Sequence, residues 1–264
     1  MNTIYEVLHA VRTVKPVVHH LTNWVTIYDC ANIVKVFGAS PVMAHAKEEV
    51  AAMAKIASAV VLNIGTLTPD LVEAMKIAGK SANDKGIPVV LDVCGAGATK
   101  LRDDACADII AHVKVAVIKG NASEVARVAG LDVQTKGVDA TKVAADMVAT
   151  AKGLAQKKQC AVVVTGAKDI VTDGTATYVI SNGHAMMVNV VGTGCMATSV
   201  IGAFAAVEKN TAFAAAAGLV CYEIAAERAA SRAAGPGSFK EYLFDEVYQL
   251  NEKSIETMQK VEKQ

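Results

Sequence analysis

A rhythm in the first two thirds of this 264-residue chain restricts its fold most. Short apolar runs at 60–64, 89–92, 115–118 and 161–165 are β-branched, apolar on both alternating faces and too short for helices. Strands of that kind are covered on both sides, as in a parallel sheet. Between them, residues 70–85, 101–112, 123–129 and 140–157 carry helical spacing. The first of these is opened by Thr68-Pro69 as N-cap and first-turn proline. Alternation at ~30 residues per unit is the signature of right-handed βαβ crossovers. The expected class is α/β, a mostly parallel central sheet flanked by helices.

The rhythm then changes. Segments 169–172, 176–180 and 184–188 are separated by the turn dipeptides Asp173-Gly174 and Asn182-Gly183, which predicts an antiparallel meander extending the sheet. Beyond Gly192 the spacing predicts helices over 195–208, 211–232 and 239–262, with a break at Gly235-Pro236-Gly237. No linker, low-complexity tract or internal repeat divides the chain, so one domain over 1–264 is expected.

Composition narrows the partners. With 53% hydrophobic residues the chain is no disordered segment. Its 26 basic and 26 acidic side chains cancel, which argues against a general nucleic-acid or membrane-surface binder. Few aromatics (1 Trp, 6 Tyr, 5 Phe) also weaken a platform for stacking bases. No apolar run approaches the ~20 residues that span a bilayer, and no apolar signal segment opens the chain. Cys30, Cys94, Cys106, Cys160, Cys195 and Cys221 form no CxxC pair, and most sit in apolar company. Reduced thiols in a cytoplasmic protein are the expectation.

The strand ends carry the chemistry. Asn63-Ile64-Gly65, Asp92-Val93-Cys94-Gly95, Lys119-Gly120-Asn121 and Thr165-Gly166 each close a parallel strand. Ligands of open α/β sheets bind beyond such carboxyl ends, so the four ends outline one cleft. Ordinary turn chemistry uses the same residue types at any single end. Two apparent phosphate motifs fail. Gly79-Lys80-Ser81 falls within a helical segment, and the first P-loop glycine would fall on Ala74. Gly95-Ala96-Gly97-Ala98-Thr99-Lys100 has Lys100 where a dinucleotide fingerprint needs its last glycine.

The strongest element is Val190-Val191-Gly192-Thr193-Gly194-Cys195-Met196, directly before an Ala-rich helix. Two glycines let backbone approach a ligand, and free N–H groups with the helix dipole make an anion site suited to a phosphoryl group. Cys195 stands in the first helical turn, where the same potential lowers a thiol pKa; a buried structural cysteine is the plain alternative. Asp92 and Glu124, at neighbouring strand ends, suit magnesium, which takes one or two carboxylates plus substrate phosphates. Glu124 equally suits a cap for the helix opened by Asn121. Lys119 is placed to neutralise a phosphate. The His19-His20 pair lacks a second ligand cluster and reads as structural, and Met43 reads by its apolar surroundings as core.

Together these residues resemble a family. HHLTNWVTIYDCANIVKVFGASPVMAHAKEEV, LNIGTL, LDVCGAGATKLR, IKGNASE, VVVTG and NVVGTGCMATSVIGAF run in this order from about His19 to Phe204. They are similar to hydroxyethylthiazole kinases, enzymes of thiamine salvage in the ribokinase-like superfamily. SPVMAHA combined with GTGC is specific, since other ribokinase-like kinases usually carry Asp where this chain has Cys195. The resemblance implies a three-layer ribokinase-like fold. It also implies ATP-dependent phosphorylation of the hydroxyl of 4-methyl-5-(2-hydroxyethyl)thiazole, with Mg2+.

Carried onto this sequence, the resemblance makes Met43 and Gly192 thiazole contacts, Lys119 and Thr165 ATP contacts, and Asp92 and Glu124 the acids serving magnesium. It puts Cys195 beside the substrate hydroxyl and Asn23 in the thiazole pocket. It further implies a homotrimer with thiazole sites between subunits, in which Asn23 and Met43 serve a neighbour's Cys195. Two departures stand out. The family usually reads Asp-Pro-Val-Gly-Ala-Gly where this chain has Asp92-Val93-Cys94-Gly95-Ala96-Gly97, so the turn after Asp92 loses a proline. Position 119 is often Arg, and Lys119 keeps the charge without the bidentate fork. Hydroxymethylpyrimidine kinases and nucleotide-hydrate dehydratases of the same superfamily are the nearest alternatives. They are expected to carry Asp at position 195 and to lack SPVMAHA. A non-catalytic ligand-binding protein on the same fold is the alternative of another class, and the competent side chain at every proposed position speaks against it.

Overall fold

The structure is a computed structural model that describes residues 2–131 and 140–264. Its strands are β1 (Val17–Leu21), β2 (Ser40–Val42), β3 (Ala59–Asn63), β4 (Val89–Asp92), β5 (Val117–Asn121), β6 (Ala161–Thr165), β7 (Asp169–Thr172), β8 (Thr177–Ile180) and β9 (Val261–Lys263). They form one sheet in the order β2-β1-β3-β4-β5-β6-β7-β8-β9. Pairings from β2 through β6 are parallel, and those from β6 through β9 antiparallel.

The period of two along each strand divides the core into two layers. Val61, Val90, Val117 and Val163 face one side, where α1 (Ile4–Val14) and α2 (Ile27–Phe37) pack. Leu62, Leu91, Ile118 and Val164 face the other, against α3 (Val50–Ile56), α4 (Pro69–Lys85), α5 (Lys100–His112), α6 (Ala122–Val128) and α7 (Ala140–Lys158). The first side is completed by α8 (Thr193–Ala205), α9 (Thr211–Ala230), α10 (Pro236–Tyr248) and α11 (Glu252–Met258). The result is helix–sheet–helix, as expected for the α/β class. Thr68 caps α4 through its side chain with Pro69 in the first turn, and Gly79-Lys80-Ser81 lies inside that helix.

Small residues explain how closely the helices of the first side approach. Every residue of α8 from Met196 to Ala205 is buried. A methyl group on Gly202 would stand 2.4 Å from Val61 Cγ2, so the helix touches the sheet with its backbone. The abundance of alanine in α8 and α9 serves the same close contact.

Three points of the sequence reading need correction. Residues 184–188 form no third meander strand: Ala185–Asn189 is a short 3-10 helix, with His184 accepting from Met186 N. The place beside β8 belongs instead to β9. Asn182 holds it there, its Nδ2 donating to Met258 O (2.8 Å) and its Oδ1 accepting from Lys260 N (2.7 Å). The predicted helix over 239–262 is two helices and that strand. Arg12 ends α10 by donating to the carbonyls of Leu250 (2.7 Å) and Val247 (2.9 Å), and Asn251 caps α11. β1 and β2 had no counterpart in the sequence reading. His19 and His20 interrupt an apolar run, yet both are fully buried on β1. His19 Nε2 bonds to Ala44 O (2.9 Å) and His20 Nδ1 to Val18 O (3.0 Å). Burial lowers both ring pKa values, that of His20 to about 3, so they are neutral core residues.

Candidate active site

The carboxyl ends of β3, β4, β5 and β6 converge on the start of α8. Asp92 closes β4 and lies opposite Asn63 of β3 and Lys119 of β5 in the sheet register. Its Oδ2 accepts from Thr198 Oγ1 (2.6 Å) and Asn63 Nδ2 (2.9 Å), with Lys119 Nζ at 3.4 Å. Its Oδ1 is buried without a partner, which leaves lone pairs free for a further donor or cation. Lys119 is buried and donates to Gly194 O (3.0 Å). Burial works against its charge, but Asp92 and then Cys195 hold its pKa above the usual lysine value.

Gly192 is the N-cap of α8 at φ 95°, the left-handed region that glycine enters freely. A Cβ there would also meet Thr26 Cγ2 at 2.5 Å. No side chain caps the helix, so its first N–H groups stay free, as an anion site requires. The following residues are fixed from behind. Thr193 Oγ1 donates to Met187 O (3.0 Å), Tyr222 Oη donates to Thr193 O (3.2 Å), and Thr198 Oγ1 donates to Gly194 O (3.1 Å).

Cys195 is half-buried at this turn. Asn23 Nδ2 donates to its Sγ (3.1 Å), and Asn23 Oδ1 in turn accepts from Thr26 N and Oγ1. A hydrogen bond from the Cys94 thiol is the largest influence on Cys195 and brings its pKa down to about 6. Burial and Asp92 oppose that shift, while Thr26 and Lys119 assist it. The same bond, with burial, pushes Cys94 up. The other thiols behave as core groups: burial raises Cys30 and Cys160 to about 11 and Cys106 to about 12. Cys195 thus stands apart among the six cysteines, with the Cys94 thiol as the first cause where the sequence pointed to the helix start.

Glu124 combines two functions in one carboxylate. It forms a capping box with Asn121, its Oε2 accepting from Asn121 N (2.7 Å), while its Oε1 accepts from Gly95 N (2.7 Å). The turn after Asp92 is therefore tied down even with Val93 in place of proline. Thr165 lies opposite Asn121 and borders a cavity of about 650 Å³ that also meets Gly166, Asp169, Thr193, Gly194 and Glu223. Asp169 and Glu223 are a buried acid pair; burial first, then Asp169, raises Glu223 to about 11, so it is held protonated beside its neighbour.

Asp92, Lys119, Gly192 and Cys195 thus meet at one point, with Glu124 and Thr165 on either flank. Met43 lies apart, half-buried just after the edge strand β2, its carbonyl accepting from His45 Nδ1. Asn23 bonds to Cys195 of its own chain. Sequence reading missed Thr198, Thr26 and the Asp169–Glu223 pair. Thr198 stands three residues beyond Cys195 in an apolar helix, and only that helical spacing hinted at it. Asp169 and Glu223 lie too far apart in sequence to suggest each other.

Comparison with known proteins bears on the family and the fold. The family model described as the hydroxyethylthiazole kinase family matches residues 8–253. A hydroxyethylthiazole kinase of Methanosarcina acetivorans is 50% identical over 257 residues, covering 97% of this chain and 98% of its own. The solved structure of a hydroxyethylthiazole kinase from Pyrococcus horikoshii superposes with a TM-score of 0.92 at 40% identity, covering 100% of both chains. A ribokinase-like superfamily protein from Enterococcus faecalis shares the fold at a TM-score of 0.64 and 11% identity, over 88% of this chain and 86% of its own.

Proposed function

This chain belongs to the hydroxyethylthiazole kinase family, and we propose that it transfers the terminal phosphoryl group of ATP to the hydroxyl of 4-methyl-5-(2-hydroxyethyl)thiazole in thiamine salvage. The observation that carries this reading is a thiol with lowered pKa in the first turn of an uncapped helix, beside a buried Asp–Lys pair.

The cavity bordered by Thr165 takes the nucleotide and points its phosphates toward the start of α8. N–H groups at Gly192–Cys195 and the Lys119 ammonium offset the charge of the transferring group, the main requirement of a loose phosphoryl-transfer transition state. Cys195 orients the thiazole hydroxyl, held in turn by Asn23. The hydroxyl oxygen attacks the terminal phosphorus, the bond to the bridging oxygen of ADP breaks, and the hydroxyl proton passes to Cys195 Sγ. The orphan Oδ1 of Asp92 fits magnesium, and Asp92 and Glu124 would hold it directly or through water. When bound, the ion supplies positive charge against the phosphate oxygens.

An exposed apolar rim supports the assembly part of the reading. Trp24, Val25 and Tyr28 flank Thr26, and Val188 and Val191 precede Gly192; all are largely exposed beside the site. We take this rim as the contact of a homotrimer, with Met43 serving a neighbouring subunit's thiazole site. Among the described residues no helix is long and apolar enough to cross a membrane. The six free thiols suit a reducing compartment, and a cytoplasmic location is part of the proposal. Incubation with ATP, magnesium and the thiazole alcohol, followed by mass spectrometry, should give the phosphorylated alcohol. Thiazole binding without product would overturn the kinase reading in favour of a binding protein.

A further inference from the structure

One side chain outside the reacting centre joins two of the loops that build it. Arg102, in the first turn of α5, donates from Nη1 to Ile64 O (2.8 Å) and Cys94 O (2.9 Å) and from Nη2 to Gly65 O (2.6 Å). Ile64 and Gly65 follow β3, and Cys94 follows β4, so one guanidinium spans both strand ends. The chain makes room for it: a Cβ on Gly95 would stand 2.9 Å from Nη1.

Both loops lead directly to the reaction centre. Gly65 N donates to Asn63 Oδ1 (2.8 Å), which also accepts from Asn23 Nδ2, the donor to Cys195. Asn63 Nδ2 holds Asp92. On the other loop Cys94 follows Asp92 by two residues, and Glu124 Oε1 accepts from Gly95 N (2.7 Å). The turn after Asp92 is thus held between an arginine and a glutamate, where a proline would otherwise stiffen it.

We infer that Arg102 is a positioning residue for phosphoryl transfer: it fixes the 63–65 and 94–95 loops so that Asn23, Asp92 and Cys195 keep their mutual geometry. It touches no reacting atom. Three carbonyls from two loops, reached by both terminal nitrogens, call for the guanidinium fork, which an ammonium does not reproduce. Displacement of reacting groups by ~1 Å costs about 10²-fold in rate.

This inference rests on the kinase reading for its kinetic arm, and a second arm is independent of it. Arg102→Ala should lower kcat about 10²-fold with the KM for ATP within about threefold of wild type. Added guanidinium should restore kcat at least about tenfold, and Arg102→Lys should remain well below wild type. Hydrogen exchange read by mass spectrometry should quicken in peptides covering 63–67 and 93–97 and stay unchanged in α8. If Arg102→Ala fails to fold, Arg102→Lys carries both arms. Unchanged exchange in the two loops would overturn the inference. So would quickened exchange with kcat within about threefold of wild type, or a kcat loss that guanidinium leaves untouched. Absence of turnover in the wild-type protein would instead refute the kinase reading, and the exchange arm would still decide whether Arg102 fixes the loops.

Discussion

At opposite ends of the same parallel strands lie two cavities of about 650 and 560 Å³. The smaller meets the residues that precede the strands, Ser58, Pro88, Ala116 and Cys160, together with Asn83 and Lys114. Asn83 there is spent on backbone: its Oδ1 accepts from Lys114 N (2.7 Å) and its Nδ2 donates to Lys114 O (2.9 Å). Helix α8 presents its carboxyl end there. The larger cavity meets the opposite end of α8 at Thr193 and Gly194, where N–H groups are free, and is bordered by the buried acids Asp169 and Glu223; Gly194, whose carbonyl accepts from Lys119, joins it to the Asp92–Lys119 pair. Comparable volume therefore does not make comparable sites. What separates them is strand direction, which sends carboxyl ends and helix N-termini to one edge and strand starts and helix C-termini to the other.

Substitutions at the two ends test this contrast. Cys195→Ala should lower kcat by up to about 10⁴-fold, the upper range for loss of a proton acceptor, in steady-state assays. Full activity would remove Cys195 from the chemistry. Asp92→Asn should cost about 10²–10³-fold and flatten the response to magnesium; an unchanged magnesium titration would detach Asp92 from the metal. Gly192→Ala, forced into Thr26 at positive φ, should lower kcat about 10²-fold with the protein still folded by circular dichroism. Cys94→Ala is a finer probe. With the proton-accepting thiolate stabilised in the wild type, activity should rise with pH through about 6, and removing the Cys94 donor should move that limb to higher pH. Wild-type and variant pH–rate profiles that coincide would show that Cys94 does not tune the thiol. Asn83→Ala, at the opposite cavity, should leave turnover unchanged while lowering stability by about 1 kcal/mol in urea unfolding. A loss of turnover there would break the contrast.

The legible parts of this molecule were those written in local periodicity. β3 to β6 declare themselves because burial on both faces demands unbroken β-branched runs, and the turn after Val191 does so because glycine and a helix start coincide. Where a tertiary contact overrides the local pattern, reading along the chain fails. Residues 184–188 follow a strong turn dipeptide, yet Asn182 binds the distant Met258 and Lys260 and delivers the sheet edge to residues 261–263. β1 was hidden by two histidines that burial makes neutral. In the site, Asp92, Lys119 and Cys195 were legible as strand and helix ends. Thr198 and Arg102 were not, because their roles depend on which backbone or carboxylate the fold brings to them. Glu124 had two readings from sequence: the structure shows the capping box, and the magnesium role belongs to the proposal.

The burial of α8 from Met196 to Ala205 sets a condition on how any catalytic cycle runs. The phosphate-facing amides are attached to the least yielding part of the molecule, a helix seated by its backbone on β3. The opposite wall is the 23–26 segment, with Trp24 and Val25 open to its surroundings. One wall of the cleft is thus set by the core of the molecule and the other by a surface segment, so a substitution at Gly202, which would push α8 off β3, should disturb the site from a distance of about two helical turns.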